Sequence, residues 1–212
     1  MLEIEILSIN SINENCSTWL VLPEAEKLRV NMFLKTQDSL RFKLGRFMVR
    51  RRLSKELGLM PEKVPILIDG LGKPRCSVEN SLEFSISHAG SFVVVGWSDF
   101  PIGVDIEPLT SILDFNSDNQ IFNSNEIQSF IGNKINNDFH RLRLFVAKEA
   151  VLKCLGLGFS VDPRLVELNE YDKPWKILSA SYLSNKLFVK IVILPNGYVL
   201  GVASRSLEML IG

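Results

Sequence analysis

Cysteine is scarce in this chain of 212 residues: Cys16, Cys76 and Cys154 are odd in number, far apart, and show no CxxC or Cys/His spacing. That argues against a disulfide framework and against structural zinc. Net charge is lacking too, with 24 Lys plus Arg against 24 Asp plus Glu. No whole-molecule field therefore draws the chain to nucleic acid, to a membrane or to an acidic partner. No apolar run approaches the roughly 18–20 residues of a membrane span. The N-terminal stretch MLEIEILSIN carries Glu3 and Glu5 where a signal peptide has a basic start and an unbroken apolar run. A cytoplasmic protein is the expectation. No G-x-S-x-G surrounds Ser87, which weakens a serine-hydrolase reading.

What is present suits an ordinary folded protein. Hydrophobic residues make up 46% of the chain, enough for a sizeable core, and the length allows one large domain or two small ones. Residues 2–9 alternate like a half-buried strand. Pro23 opens a helical stretch to Leu34, and Asp38 and Ser39 are candidate caps for a long helix through Leu57, closed by Gly58. Strand-like segments follow at Val64–Ile68, Leu82–Ser87, Phe92–Trp97 and Ile102–Glu107, the last three at the spacing of a meander. Residues 110–123 read as a loop. Ser124 is a candidate cap for a short helix to Ile131, and a second long helix runs over Asn137–Leu155, ended by Gly156 and Gly158. The tail alternates at Leu165–Leu168, Trp175–Leu178, Leu187–Leu194 and Tyr198–Ala203, with Asn196-Gly197 as a hairpin signal between the last two. The fold class is α+β, with a hinge expected near residues 99–115.

Five segments could carry chemistry. In Ile102-Gly103-Val104-Asp105-Ile106-Glu107, strand alternation puts Asp105 and Glu107 on one face and Val104 and Ile106 on the other. Such a carboxylate pair is either a solvent-facing acidic edge or a site for a hard cation such as Mg²⁺. Glu149 and Lys153 share one helix face, either as a surface ion pair or at a crevice of the apolar run FVAKEAVLKCLGLGF. Ser87 and His88 stand at a strand end before Gly90, as turn residues or as donors to a phosphate. Gly72-Lys73-Pro74 is a fixed turn presenting a cation. The helix with Arg41, Lys43, Arg46, Arg50, Arg51 and Arg52 is either a solvated basic face or a phosphate clamp. No recognised nucleic-acid motif accompanies it, so nucleic acid is not an expected partner.

The order and spacing of these segments resemble the 4′-phosphopantetheinyl transferases. Gly72-Lys73-Pro74, Phe84-Ser85-Ile86-Ser87-His88, Gly103-Val104-Asp105-Ile106-Glu107 and Lys148-Glu149-Ala150-Val151-Leu152-Lys153 match the family's pattern in sequence order. Ile121 to Glu126 is similar to its Phe-Ser-x-x-Glu segment. The length resembles the larger, surfactin-synthetase-activating class. That likeness implies two similar α+β halves related by a pseudo-twofold axis, residues 1–102 and 103–212, in a monomer with the active site between them. It also implies transfer of 4′-phosphopantetheine from coenzyme A to a serine of an apo acyl or peptidyl carrier protein, with Mg²⁺.

Carried onto this chain, the resemblance makes Asp105, Glu107 and Glu149 the metal ligands, and Glu149 and Lys153 the catalytic pair. It gives Arg41, Gly72, Lys73, Pro74, Ser87, His88 and Lys153 to coenzyme A, with Arg29 a further candidate for its 3′-phosphate. Ile112, Phe115, Ile121 and Phe122 are candidate carrier contacts. Two positions depart from the pattern: Phe145-Val146 stands where Trp-Ser is frequent, and Asn123 where a serine is expected. The alternatives are a non-catalytic module binding coenzyme A or a carrier, a Mg²⁺-dependent pyrophosphate hydrolase, whose Glu-rich helix signature is missing, and a nucleic-acid binder.

Overall fold

The alternating N-terminal run forms strand β1 (Leu2–Ser8) in the computed structural model, which describes residues 1–11, 22–111, 118–131, 137–172 and 177–211. Helix α1 (Glu24–Asn31) follows, with Pro23 as its extended N-cap residue. It ends three residues short of the expected Leu34, because the chain turns there to seat Phe33 against Phe42, ring centroids 5.5 Å apart. Helix α2 (Thr36–Leu57) begins before the expected caps: Lys35 is its N-cap residue, and Asp38 pairs instead with Arg41 one turn on. Its C-terminus is as expected. Gly58 adopts a left-handed φ of 65°, and Leu59 N–H bonds back to the Ser54 carbonyl at 3.2 Å.

Strands β2 (Ile66–Ile68) and β3 (Pro74–Cys76) form a small hairpin around the Asp69–Lys73 turn. β3 was not foreseen, since proline at its first residue hides a strand of three. Strands β4 (Glu83–Ala89) and β5 (Phe92–Ser98) pair antiparallel, but β6 (Ile102–Pro108) does not continue them as a meander. The free edge of β5 is taken by β1, giving the order β1-β5-β4, so β6 starts a second sheet. Helices α3 (Asp118–Ile121), α4 (Ser124–Ile131) and α5 (Asn137–Leu155) come next. Strands β7 (Glu167–Asp172), β8 (Ile177–Tyr182), β9 (Asn185–Leu194) and β10 (Tyr198–Ser204) then complete a sheet of order β6-β10-β9-β8-β7, and helix α6 (Glu208–Ile211) follows. Gly197, with φ 81°, turns the β9–β10 hairpin as the Asn-Gly signal required. No helix among the described residues is long and apolar enough to cross a membrane.

The two sheets repeat one plan. In each, the first strand (β1, β6) lies beside the last (β5, β10), which pairs with the strand before it (β4, β9), and a long helix (α2, α5) intervenes in sequence. The stripe Leu44, Met48, Val49 and Leu53 of α2 packs on Phe84, Val93 and Trp97, while Leu142, Val146, Ala150 and Val151 of α5 pack on Val189, Val199 and Ala203. A third core joins the sheets: Ala89 and Val94 from the first meet Ile102, Val104, Ile106, Leu200 and Val202 from the second.

α5 lies unusually close to its sheet because glycines face it. A Cβ on Gly201 would stand 2.8 Å from Val146 Cγ1 and 3.1 Å from the Val146 carbonyl oxygen. One on Gly103 would overlap the Ala150 carbonyl oxygen and the Cys154 amide, both helix backbone that cannot yield locally. Gly103→Ala is therefore expected to cost about 3 kcal/mol or more, lowering the melting temperature by roughly 10 °C. Gly70→Ala, with open space around it, is the control and should shift the melt by no more than about 2 °C.

Candidate active site

Strand β6 delivers its alternation as expected. Val104 and Ile106 are fully buried in the shared core, while Gly103, Asp105 and Glu107 occupy the face that α5 covers. On α5, Glu149 and Lys153 come from the same helix face onto that strand. The Lys153 ammonium donates to Asp105 Oδ1 at 2.6 Å and to Ser87 Oγ at 2.9 Å, and the Ser87 hydroxyl donates to the same Asp105 oxygen at 2.8 Å. Asp105 is buried and Glu149 is only 9% exposed. The edge-of-strand reading of the acidic pair thus gives way to a crevice between the halves.

The three carboxylates act on one another. Burial pushes the Glu149 carboxyl up to about 7, with the negative charges of Asp105 and Glu107 adding to the rise and Lys153 opposing it. Glu107 is raised by burial and then by Asp105, while the Ser111 hydroxyl, 3.3 Å away, acts in the opposite sense. Two oxygens, Asp105 Oδ2 and Glu149 Oε1, are buried without a hydrogen-bond partner. Among the described residues, no three His, Cys, Asp or Glu groups are gathered closely enough to grip one ion. Lys153 supplies the positive charge at Asp105 instead. Even so, the donor chemistry fits a hard divalent cation. Buried carboxylate oxygens without donors are costly, and oxygen-rich anionic sets are what such cations take.

The other expected site residues fall in two flanking pockets. Gly72, Lys73 and Pro74 line a cavity of about 190 Å³ together with Phe84, Lys153 and Gly156. The Lys73 ammonium is already engaged, donating to the Lys153 carbonyl at 2.7 Å and the Ile102 carbonyl at 3.3 Å, and burial lowers its pKa. Arg41 and His88 line a groove of about 390 Å³ with Arg29, Phe33, Phe42 and Arg46. Arg41 is tied to Asp38 and to the Gly90 carbonyl at 2.7 Å. Ile86 on β4 lines both pockets, so the strand carrying Ser87 and His88 separates them.

Sequence reasoning missed Phe42, and counted Arg46 only among the residues of the basic helix without placing it in that groove. The guanidinium carbons of Arg29 and Arg46 lie 5.5 and 5.3 Å from the Phe42 ring centroid, and the buried Arg46 keeps Nη1 without a partner. The Phe42–Arg46 spacing of four was the available signal. The residues of the basic helix divide, with Arg41 and Arg46 lining the groove and Arg50, Arg51 and Arg52 held by other parts of the protein. Arg50 is buried, bonded to Glu26 at 2.8 and 3.0 Å and to the carbonyls of Pro61 and Val64, both at 2.9 Å. Arg51 and Arg52 pair with Glu5 and Glu3 of β1.

The departures from the family pattern have structural accounts. Val146 is buried against Gly201, where its methyls fill the helix–sheet contact. Asn123, not Ser124, caps α4. Its Oδ1 takes the Glu126 N–H at 3.0 Å, while Glu126 Oε2 takes the Asn123 N–H at 2.9 Å, a reciprocal capping box in which an amide oxygen stands in for a hydroxyl. Lys148 is buried and holds Glu126 at 2.8 Å and the carbonyls of Val166 at 2.7 Å and Pro163 at 3.0 Å. Of the candidate carrier contacts, Phe122 is only 1% exposed and packs on Phe130, and Ile121 leans on the same core. Ile112 and Phe115 lie outside the described residues.

Comparison with known proteins points the same way. Residues 101–203 match the 4′-phosphopantetheinyl transferase superfamily, and residues 11–98 match the family described as 4′-phosphopantetheinyl transferase, N-terminal. The chain is similar to the 4′-phosphopantetheinyl transferase gsp of Aneurinibacillus migulanus, 30% identical over 61% of this chain and 54% of that one. It resembles psf-1 of Bacillus pumilus at 30% identity over 58% of this chain and 53% of that one. The L-aminoadipate-semialdehyde dehydrogenase-phosphopantetheinyl transferase of Xenopus laevis is 29% identical, covering 74% and 59%. The chain thus spans about half the length of the first two relatives.

The raised Glu149 carboxyl has a measurable consequence. Its proton is held more tightly in the folded than in the unfolded state. The stability it contributes is therefore complete below the ordinary value of 4.5 and is lost as pH rises through about 7. Glu149→Gln cannot ionise. In EDTA, denaturant unfolding should show the variant gaining on the wild type by about 2–3 kcal/mol between pH 5 and pH 8. An unchanged gap would mean that the carboxyl is not held in this environment.

Proposed function

The chain belongs to the 4′-phosphopantetheinyl transferase superfamily, and on that premise we propose that it moves 4′-phosphopantetheine from coenzyme A onto a carrier-protein serine. The observation that carries this reading is the meeting of Ser87, Asp105, Glu149 and Lys153 at one crevice between the halves, flanked by a basic groove. The acceptor is an apo acyl or peptidyl carrier protein, and the enzyme works as a cytoplasmic monomer.

In this reading Asp105, Glu107 and Glu149 would hold Mg²⁺, which when bound supplies charge neutralisation to a pyrophosphate. Arg29, Arg41 and His88 take the 3′-phosphate in the basic groove, and Gly72, Lys73 and Pro74 border the nucleotide. The carrier hydroxyl oxygen attacks the pantetheine-side phosphorus, and the bond from that phosphorus to the bridging oxygen breaks, releasing adenosine 3′,5′-bisphosphate. Lys153 offsets the charge that grows on the leaving phosphate. Glu149 takes the serine proton. Phosphoryl transfer asks for positioning and charge neutralisation, so no enzyme nucleophile is needed.

Intact-protein mass spectrometry of an apo carrier incubated with the protein, coenzyme A and Mg²⁺ tests the proposal. A phosphopantetheine-sized mass gain, lost in EDTA, is expected. Glu149→Gln should slow the gain by about 10²- to 10⁴-fold with the fold retained. Near-normal turnover would remove Glu149 from the mechanism, and no gain with several carrier types would sink the transferase reading.

A further inference from the structure

Lys73 stands on the turn between β2 and β3, and its ammonium crosses to the other half of the chain. It donates to the Lys153 carbonyl at 2.7 Å, on the last turn of α5, and to the Ile102 carbonyl at 3.3 Å, at the start of β6. One cation thus ties the helix that bears Glu149 and Lys153 to the strand that bears Asp105 and Glu107. The last carbonyls of a helix lack partners within it and favour a cation. The stem follows the same path, lying along Gly156, where an added Cβ would meet Lys73 Cδ at 3.6 Å and Arg75 Nη2 at 2.6 Å.

The β2–β3 turn is fixed around that lysine. Asp69 Oδ1 takes the Lys73 N–H at 2.8 Å and the Leu71 N–H at 3.0 Å, and Asp69 Oδ2 takes Arg75 Nε at 3.1 Å. Arg75 reaches Glu83 of β4 at 3.3 Å, which fastens the hairpin to the first sheet. The hairpin is therefore held by carboxylates on its own side, and it lays two cationic side chains over the end of α5.

We infer that Lys73 is a positioning residue: its ammonium fixes the last turn of α5 against the start of β6, so that Lys153 is presented to Asp105 and Ser87. This action adds to the place of Gly72, Lys73 and Pro74 on the cavity wall, and only its consequence for turnover rests on the proposed reading. The Lys153 ammonium meets Asp105 at 2.6 Å and Ser87 at 2.9 Å from the end of a flexible four-carbon stem. Such a charge is placed only as well as the backbone that carries it. A shift of about 1 Å at a reacting group can lower turnover about 100-fold.

A second lysine separates this role from ordinary bracing. Lys190 donates to the Leu210 carbonyl at 2.7 Å and ties α6 to β9. Its neighbours Val189 and Ile191 belong to the core under α5, so strand alternation puts Lys190 on the opposite face of the sheet.

The test compares Lys73→Met, which keeps the stem and removes every donor, with Lys190→Met in the full chain. Hydrogen exchange of the Gly156 and Leu157 amides is followed by NMR in the free protein. Turnover of an apo carrier is measured with Mg²⁺ at saturating coenzyme A, and coenzyme A affinity by calorimetry. In Lys73→Met the two amides should exchange roughly tenfold faster. Its kcat should fall about 10- to 100-fold, by more than its coenzyme A affinity falls. Lys190→Met should melt lower, with exchange at α5 and kcat as in the wild type. Unchanged exchange at Gly156 and Leu157 in Lys73→Met would overturn the inference. So would a kcat that is normal at saturating coenzyme A, or an equal loss of kcat in Lys190→Met. A wild type that modifies no carrier defeats the transferase reading and leaves the exchange of the two amides to decide this one.

Discussion

Two sheets that meet edge to edge must satisfy the backbone amides along the join, and this molecule does so with side chains. The Val104 and Ile106 N–H groups of β6 bond to the hydroxyls of Ser85 and Ser87 on β4, and the two strands belong to separate sheets. A buried amide without an acceptor would cost about 1–3 kcal/mol, so the serines are required where they stand. Because a hydroxyl and not a carbonyl does the bridging, one of the bridging atoms can also reach the functional groups of the other half. Ser87 is that atom's owner, and the join of the fold and the assembly of the crevice become one arrangement.

The other half answers with the placement of α5. Gly103 and Gly201 admit the helix backbone to the sheet, which brings Glu149 and Lys153 down onto the face bearing Asp105 and Glu107. The end of that helix is fixed by a Schellman turn. Gly156, with φ 73°, returns its N–H to the Lys153 carbonyl at 3.2 Å, and Leu157 returns to Leu152 at 2.9 Å. Lys73 from the first half donates to the same Lys153 carbonyl, and a cation at a helix C-terminus is favoured by the helix dipole. Lys153 is thus held from the first half at both ends, its backbone by Lys73 and its ammonium by Ser87. Lys73, expected at the nucleotide, also supports through its ammonium the residue that faces the crevice.

How much of this the amino-acid order discloses depends on the range of the interaction. Periodicity reads one element at a time, so both long helices, the Asn-Gly hairpin and the alternation of β6 were legible. The partner of β6 was not, because pairing is decided by which edge is free, and β1 occupies that edge from almost a hundred residues away. The pattern Asp105-x-Glu107 with Glu149-x-x-x-Lys153 was legible as a constellation, since each pair shares a face by local geometry. The engagement of Lys73, Arg50 and Lys148 was not. A cation's partners are carbonyls and carboxylates brought in by the tertiary fold, and nothing local distinguishes a lysine bound to the Lys153 carbonyl from one aimed at a ligand. Asn123 shows the reverse case. It breaks the family pattern by residue type yet preserves the capping geometry.

The electrostatic state of the crevice is the strongest physical argument that it exists for something other than stability. Most buried charges here are matched: Arg50 has Glu26 and two carbonyls, and Lys148 has Glu126 and two carbonyls. Around Asp105 the matching fails. Three carboxylates and one ammonium share the space, Glu149 is pushed up to about 7, and Asp105 Oδ2 and Glu149 Oε1 have no donors. A fold under pressure for stability alone gains by replacing such a group with an apolar or amide side chain. The imbalance is confined to the face where two halves of the chain converge, with a basic groove opening beside it. Unmatched negative charge beside a groove lined by Arg29, Arg41, Arg46 and His88 is the distribution expected of a surface built for a ligand that brings both an anionic group and a cation.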